Sequence, residues 1–143
     1  MWKIFILAFL LIPTQIHSES EGFMYKKGKF YYFKGKGRPK LDSTNKTQRL
    51  SLSKEAAIMD GKAKIAFYID GLKTKSGISV AKIKGKDEKV KTRVRMILDG
   101  VETVKTDWDD QDNCTAILKI NYKSIMKLQA LKMPPDSSGH VAR

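Results

Sequence analysis

Histidine is almost missing from this chain of 143 residues. His17 and His140 are the only two, and both fall in segments that read as lying outside a folded domain. A Ser-His-Asp triad, a Cys-His pair or a histidine metal site within the domain is thereby excluded. Carboxylates could still act as acid and base. The best helical pair, Asp60 and Asp70, is ten residues apart. That spacing puts them near one face but about 15 Å distant, too far for concerted work. The sequence therefore predicts no catalytic residues, no enzymatic activity and no cofactor.

Cysteine is as scarce. Cys114 stands alone, so no intrachain disulfide and no multi-cysteine zinc site can form. It reads as a small buried hydrophobe, with a reactive or intermolecular thiol as the alternative. A third scarcity is acid. Lys and Arg number 28 against 15 Asp and Glu, for a formal charge of +13. Such a balance speaks to partners rather than fold. Anionic lipid, polyanionic envelope polymers, acidic proteins and nucleic acid all qualify.

Long apolar runs are absent except at the start. After Met1-Trp2-Lys3, residues 4–12 read IFILAFLLI, ended by Pro13 and the more polar Thr14 to Ser18. This is the three-part pattern of a secretory signal. The run is shorter than the roughly 20 residues that span a bilayer. Small residues at Ser18 and Ser20 suit cleavage, and residues 1–18 are read as a signal peptide. An uncleaved anchor is the competing reading. No cysteine lies right after the apolar stretch, where a lipid-attachment site would need one. The expected compartment is the periplasm or cell envelope.

The remaining chain divides into a flexible basic segment at 19–29, a domain at 30–123, and a short helical turn with a disordered tail at 124–143. Phe30-Tyr31-Tyr32-Phe33 has strand propensity, and Gly35, Gly37 and Pro39 read as its end. Asn45 and Gln48 have capping-box spacing. Leu52, Ala56, Met59, Ala63, Ala66 and Ile69 then recur at three and four, which predicts a helix over 47–70 stopped by Gly71. Gly61 inside it predicts a close approach to a neighbouring backbone. Residues 76–84 read as a strand. Residues 87–98 read as a helix with Asp87 and Glu88 at its positive end and Val90, Val94 and Ile97 as its stripe. A strand over 101–109, with Val104, Thr106 and Trp108 on one face, joins another carrying Cys114, Ala116, Leu118, Ile120 and Tyr122. The order β-α-β-α-β-β predicts an α+β two-layer sandwich: a four-stranded mixed sheet with two helices on one face.

Several of these segments together resemble the Lpp-twenty lipoprotein family of Gram-negative envelope proteins, and the related N-terminal domain of the flagellar H-ring protein FlgT. The resemblance rests on Gly35-Lys36-Gly37-Arg38-Pro39, on Lys54 to Ala63 with its alanine pair, and on Ile69-Asp70-Gly71-Leu72. It closes on Asp99-Gly100-Val101 through Trp108 and on Thr115 to Ile120. It covers roughly residues 32–122. Gly61 stands where the family usually has alanine, and the lipid-bearing cysteine is missing. The resemblance implies a non-enzymatic envelope protein with an α+β domain, in a flagellar or other envelope assembly, and supplies no catalytic residues.

Two clusters invite chemistry. Asp107, Asp109, Asp110 and Asp112 suggest calcium, but from Asp107 an EF-hand would need Gly where Asp112 stands and Glu where Leu118 stands. A solvated hairpin turn, with no metal, is the expectation. Gly35 to Pro39 lacks the Gly-Lys-Ser/Thr ending of a phosphate loop and is read as a turn. The unusual feature is a basic aromatic arm. Lys26, Lys27, Lys29, Lys34, Lys36, Arg38 and Lys40 surround Phe30 to Phe33, and residues 26–40 contain no acid. Stacking rings with cations suit single-stranded nucleic acid, or a membrane interface with anionic lipid. A strand packed by its rings and kept soluble by its lysines is the first reading of these residues, ahead of an anionic surface, a protein partner or nucleic acid. With an export signal, envelope proteins or an anionic envelope surface are the expected partners, with peripheral membrane contact and no nucleic acid.

Amino-terminal sequencing of the exported product should read Glu19 or Glu21 as the first residue. Recovery of the protein only from the cytoplasm, with Met1 in place, would refute the export assignment.

Overall fold

A computed structural model describes residues 22–131. The signal peptide and the carboxy-terminal tail expected from the sequence lie outside them. Eight elements follow in order: β1 (Phe23–Lys27), β2 (Phe30–Gly37), α1 (Lys46–Gly71), α2 (Val80–Lys84), α3 (Glu88–Asp99), β3 (Glu102–Trp108), β4 (Cys114–Asn121) and α4 (Tyr122–Gln129). The α+β class is as expected. The sheet, however, is antiparallel throughout rather than mixed, in the order β1-β2-β4-β3. Two hairpins, β1-β2 and β3-β4, lie side by side, and the helical middle of the chain connects them.

The first hairpin replaces the flexible segment expected before residue 30. A two-residue turn, Gly28-Lys29, links the paired Lys27 and Phe30. Gly28 has φ 57°, which suits the primed turns that match strand twist. Phe23 anchors β1, with its ring 5.5 Å from that of Phe33 and 5.7 Å from that of Tyr68.

Residues 76–84 form no sheet strand. Thr74 accepts and donates nothing to a neighbouring strand; its N–H and Oγ1–H both go to Ile78 O, around a turn where Gly77 has φ 75°. Only a Lys73–Ser79 bridge is extended. Ser79 then caps α2, its Oγ 3.4 Å from Lys82 N. Val80 and Ile83 explain the outcome. Three residues apart, they share one face of a helix and both reach the core, whereas a strand would point them to opposite sides.

Helix α1 begins as expected at Asn45, whose Oδ1 accepts from Thr47 N at 2.9 Å and Gln48 N at 3.3 Å. Gln48 Oε1 takes the Ser43 hydroxyl instead of closing a capping box. At the other end the stop is Leu72, in extended conformation, and Gly71 is the last helical residue. The buried face also differs. It is Ser53, Ala57, Gly61, Ile65 and Ile69, every fourth residue, while Met59 and Ala63 point to solvent.

The sheet decides which face is buried. Gly35 and Gly37, expected in a turn, lie within β2 and are both buried against α1. A Cβ on Gly35 would sit 2.6 Å from Gly61 N and collide with Ala57 O; one on Gly37 would collide with Ser53 O and Ala57 N. All four are backbone atoms that no rotamer change can clear. Gly61 makes the approach predicted for it, facing Gly35 Cα and the Leu118 side chain. Small residues on the helix thus meet bare backbone on the strand.

Beyond this contact the core follows periodicity. Cys114, Ala116, Leu118 and Ile120 alternate along β4 and are buried, with Phe33 from β2 beside them. Burial pushes the Cys114 thiol above its ordinary value, as for a packed hydrophobe. Helix α3 is capped by Asp87, whose Oδ1 accepts from Lys89 N at 2.8 Å, and buries Val90 and Val94. Helix α4 belongs to the domain rather than to a loose end. Ile125 and Leu128 join the core, and Gln129 O accepts from Lys75 N at 3.0 Å. In β3, Thr106 and Trp108 face α1, but an irregularity between Thr103 and Lys105 turns Val104 outward. The Trp108 indole N–H is shared between Leu50 O at 3.2 Å and Ser53 Oγ at 3.1 Å.

Gly35→Val or Gly37→Val should cost more than about 3 kcal/mol, at or beyond the upper end of overpacking penalties. Gly71→Ala, with open space around the new methyl, should be neutral or stabilise by up to about 1 kcal/mol. Denaturant unfolding of the three variants measures both.

Candidate anion-binding face of the sheet

Strand pleating sorts the basic arm into two sides. Phe33, Gly35 and Gly37 face α1, so Tyr32, Lys34 and Lys36 project from the opposite face of β2. Register then places Tyr25 and Lys27 of β1 on that face, paired with Tyr32 and Phe30. Across β4 come Thr115, Ile117 and Lys119, and on β3 Glu102, Lys105 and Asp107. The four helices share the single core on the other side, and among the described residues none lies over this face.

Charge on the face is lopsided. Its acids, Glu102 and Asp107, are both on β3, and each is paired: Lys119 Nζ to Glu102 Oε2 at 2.9 Å and Lys105 Nζ to Asp107 Oδ2 at 2.9 Å. Lys27, Lys34 and Lys36 form no ion pair among the described residues. Among the described residues the β1-β2 half therefore carries an excess of positive charge. Tyr25 and Tyr32 stack there, with ring centroids 4.8 Å apart and planes 22° off parallel. Lys119 Nζ sits 4.6 Å from the centre of the Phe30 ring.

The seven basic residues singled out in the sequence do not form one patch. Lys27, Lys34 and Lys36 share the open face. Lys26 projects from the other side of β1, its ammonium 3.5 Å from the Tyr122 ring centre and 5.9 Å from that of Tyr31. Lys29 occupies the hairpin turn, where its carbonyl accepts from Tyr122 N at 2.8 Å. Arg38 and Lys40 are exposed in the loop after β2. Sequence reasoning left out Tyr25, Lys105 and Lys119, because their place depends on strand pairing. Tyr25 carried a signal, since β1 and β2 are joined by a glycine at hairpin spacing.

At one end of this face β1 runs out before β2 does. Lys34 N still donates to Gly22 O at 2.8 Å, but the next amide on that edge, Lys36 N, has no strand partner among the described residues and donates to Asp60 Oδ2 at 2.8 Å. Asp60 also accepts from Lys64 Nζ at 2.7 Å. Burial, the largest influence, pushes the Asp60 carboxyl up. The Lys64 hydrogen bond, the Lys36 amide and the two lysine charges together outweigh it, and the carboxyl titrates below its ordinary value. A notch of about 340 Å³ opens here, lined by Gly22, Phe23, Met24, Lys34, Lys36 and Lys64.

Asp70, Asp109 and Asp112 have structural partners. Asp70 binds Lys84 Nζ at 2.6 Å, away from Asp60. Asp109 accepts from Asn113 Nδ2, Asn113 N and Gln111 N at 2.9 to 3.0 Å, and these bonds, led by the Asn113 side chain, lower its carboxyl. Asp112, at φ 61°, pairs with Arg49 at 2.9 Å. Among the described residues no three His, Cys, Asp or Glu side chains come together as metal ligands, and no helix is long and apolar enough to cross a membrane. Compared with protein-family models, with curated proteins and with solved structures, the chain gives no match.

Because the folded-state carboxyl of Asp60 titrates below the unfolded value of about 3.9, its contribution to stability is complete above that value. It disappears as pH falls through the folded-state value. The stability gap between the native chain and Asp60→Asn should thus be widest near neutrality and shrink below about pH 4. Urea unfolding at several pH values reads this directly.

Proposed function

We propose that the protein is a non-enzymatic, exported component of the cell envelope that docks on an anionic surface through the open face of its sheet. One observation carries the reading. Among the described residues, Lys27, Lys34 and Lys36 form no ion pair beside Tyr25, Phe30 and Tyr32 on a face free of helices, while the two acids of that face are paired with lysines on β3 and β4. Unpaired lysines flanking aromatic side chains attract anions and offer them apolar contact. The apolar leader at residues 4–12 supports export, and the resemblance to envelope lipoproteins supports the same compartment. On that resemblance, the wider setting is an envelope assembly such as a flagellar ring. With no lipid-attachment cysteine after the leader, retention at a surface falls to charge and rings.

Exposed charges are screened over about 10 Å at 0.1 M salt. Binding to vesicles containing phosphatidylglycerol, or to an immobilised acidic polysaccharide, should accordingly weaken steeply as salt rises. Lys27→Glu/Lys34→Glu/Lys36→Glu should reduce it by roughly tenfold or more, whereas charge reversal at Lys26, on the far side of β1, should change it little. Equal loss from both variants would remove the open face as the docking surface.

A further inference from the structure

We infer that the open face receives an extended acidic polysaccharide laid along β2, rather than a lipid surface or a nucleic acid strand. The inference rests on the anionic-surface reading above and narrows it to one class of partner.

The cations are arranged as a line. Lys34 and Lys36 are two residues apart on one strand, about 7 Å. Lys27, paired across to Phe30, lies six residues back along the same direction, so the row from Lys27 to Lys36 spans about 20 Å. It ends at the notch formed with Lys64, beyond the start of β1. A lipid head group is a single charge in a broad plane, and a protein that binds a bilayer presents apolar side chains that can sink into it. The rings here are packed into the sheet face. Phe30 and Tyr32 are half-buried and Tyr25 is 44% exposed. A narrow row of charge matches a narrow chain.

Ring orientation separates glycan from nucleic acid. Proteins that hold single-stranded nucleic acid offer ring faces on which bases stack. Tyr25 and Tyr32 instead turn a face towards each other at 4.8 Å, and Phe30 has an ammonium 4.6 Å from its centre. The stack takes up the inner face of each tyrosine, and the pair brings a ligand two phenolic hydroxyls, which donate and accept hydrogen bonds. A polymer dense in hydroxyls, with a carboxylate at intervals, uses that combination. Thr115 adds a further hydroxyl in the same plane.

The test titrates the purified protein with oligogalacturonates of two, four and eight units. An eight-base oligothymidylate and phosphatidylglycerol vesicles serve as comparators. Affinity should rise with oligomer length until the chain reaches across the ~20 Å row and then level off. Log affinity should fall with log salt at a slope near −2, as expected for about three lysine contacts with a single-stranded polyanion. Tyr25→Phe/Tyr32→Phe keeps the stack and removes both hydroxyls, and should weaken the glycan several-fold while leaving the fold intact. Binding that ignores length, a double variant that binds unchanged, or tighter binding of the oligothymidylate would overturn the inference. Vesicle binding without oligomer binding would overturn it too, yet leave the anionic-surface reading standing. Failure of both probes would remove both.

Discussion

The fold depends on one contact in which two backbones meet with nothing between them. Gly35 and Gly37 present a strip of β2 without side chains, and Ser53, Ala57 and Gly61 bring α1 down onto it. Helices usually stand about 10 Å from a sheet because side chains hold them apart. Here the filler is absent along the middle of the interface, and it returns at one end as Ile65 and Ile69 packed with Phe33, Leu118 and Ile120. The helix is fixed in height and in rotation at once. Any larger residue along the strip would lever it away and open the core behind it.

That placement explains the two unlike faces of the sheet. With α1 pressed against β2 and β4, the remaining helices build outward from it: α2 and α3 pack on α1, and α4 closes the core from the end of β4. Every apolar layer accumulates on one side. The opposite face is left to the alternate residues of four strands, which bring tyrosines, lysines and two acids. The position of Asp60 ties the two sides together. It sits on α1 between the buried positions Ala57 and Gly61 and accepts from the Lys36 amide, on the stretch of β2 that extends past the described end of β1. Helix packing and the cationic end of the open face therefore share a hydrogen bond.

Much of this was legible in the sequence, for reasons that can be traced residue by residue. Cap chemistry is local, and Asn45 and Asp87 start their helices where side-chain type predicts. The alternation of Cys114 through Ile120 named β4 and its buried side correctly. The errors arise where a residue's neighbour lies far along the chain. Hydropathy marked Met59 and Ala63 as the inner face of α1, because the pattern rewards apolar bulk; the glycines of β2 reward its absence. The same glycines read as a turn, since no local rule distinguishes a glycine that bends a strand from one that makes room for a helix. Residues 76–84 have strand propensity, but Val80 and Ile83 both reach the core, which one face of a helix allows and a strand does not. The basic arm was visible as composition, yet its division into a working face and a far side follows from pairing register alone. A shift by one residue would have exchanged Lys26 for Lys27.

Trp108 is the sole tryptophan among the described residues, and its setting makes it an optical gauge of the α1–β3 junction. The indole is 40% exposed, so its emission responds to solvent, yet its nitrogen is held by Leu50 and Ser53 on the helix. Separation of helix from sheet strips those acceptors away and wets the ring in the same event. The hairpin that carries it is tied to the start of α1 a second time, by Arg49 and Asp112. In a chain without Trp2, fluorescence from Trp108 therefore follows docking of the two layers without any added label.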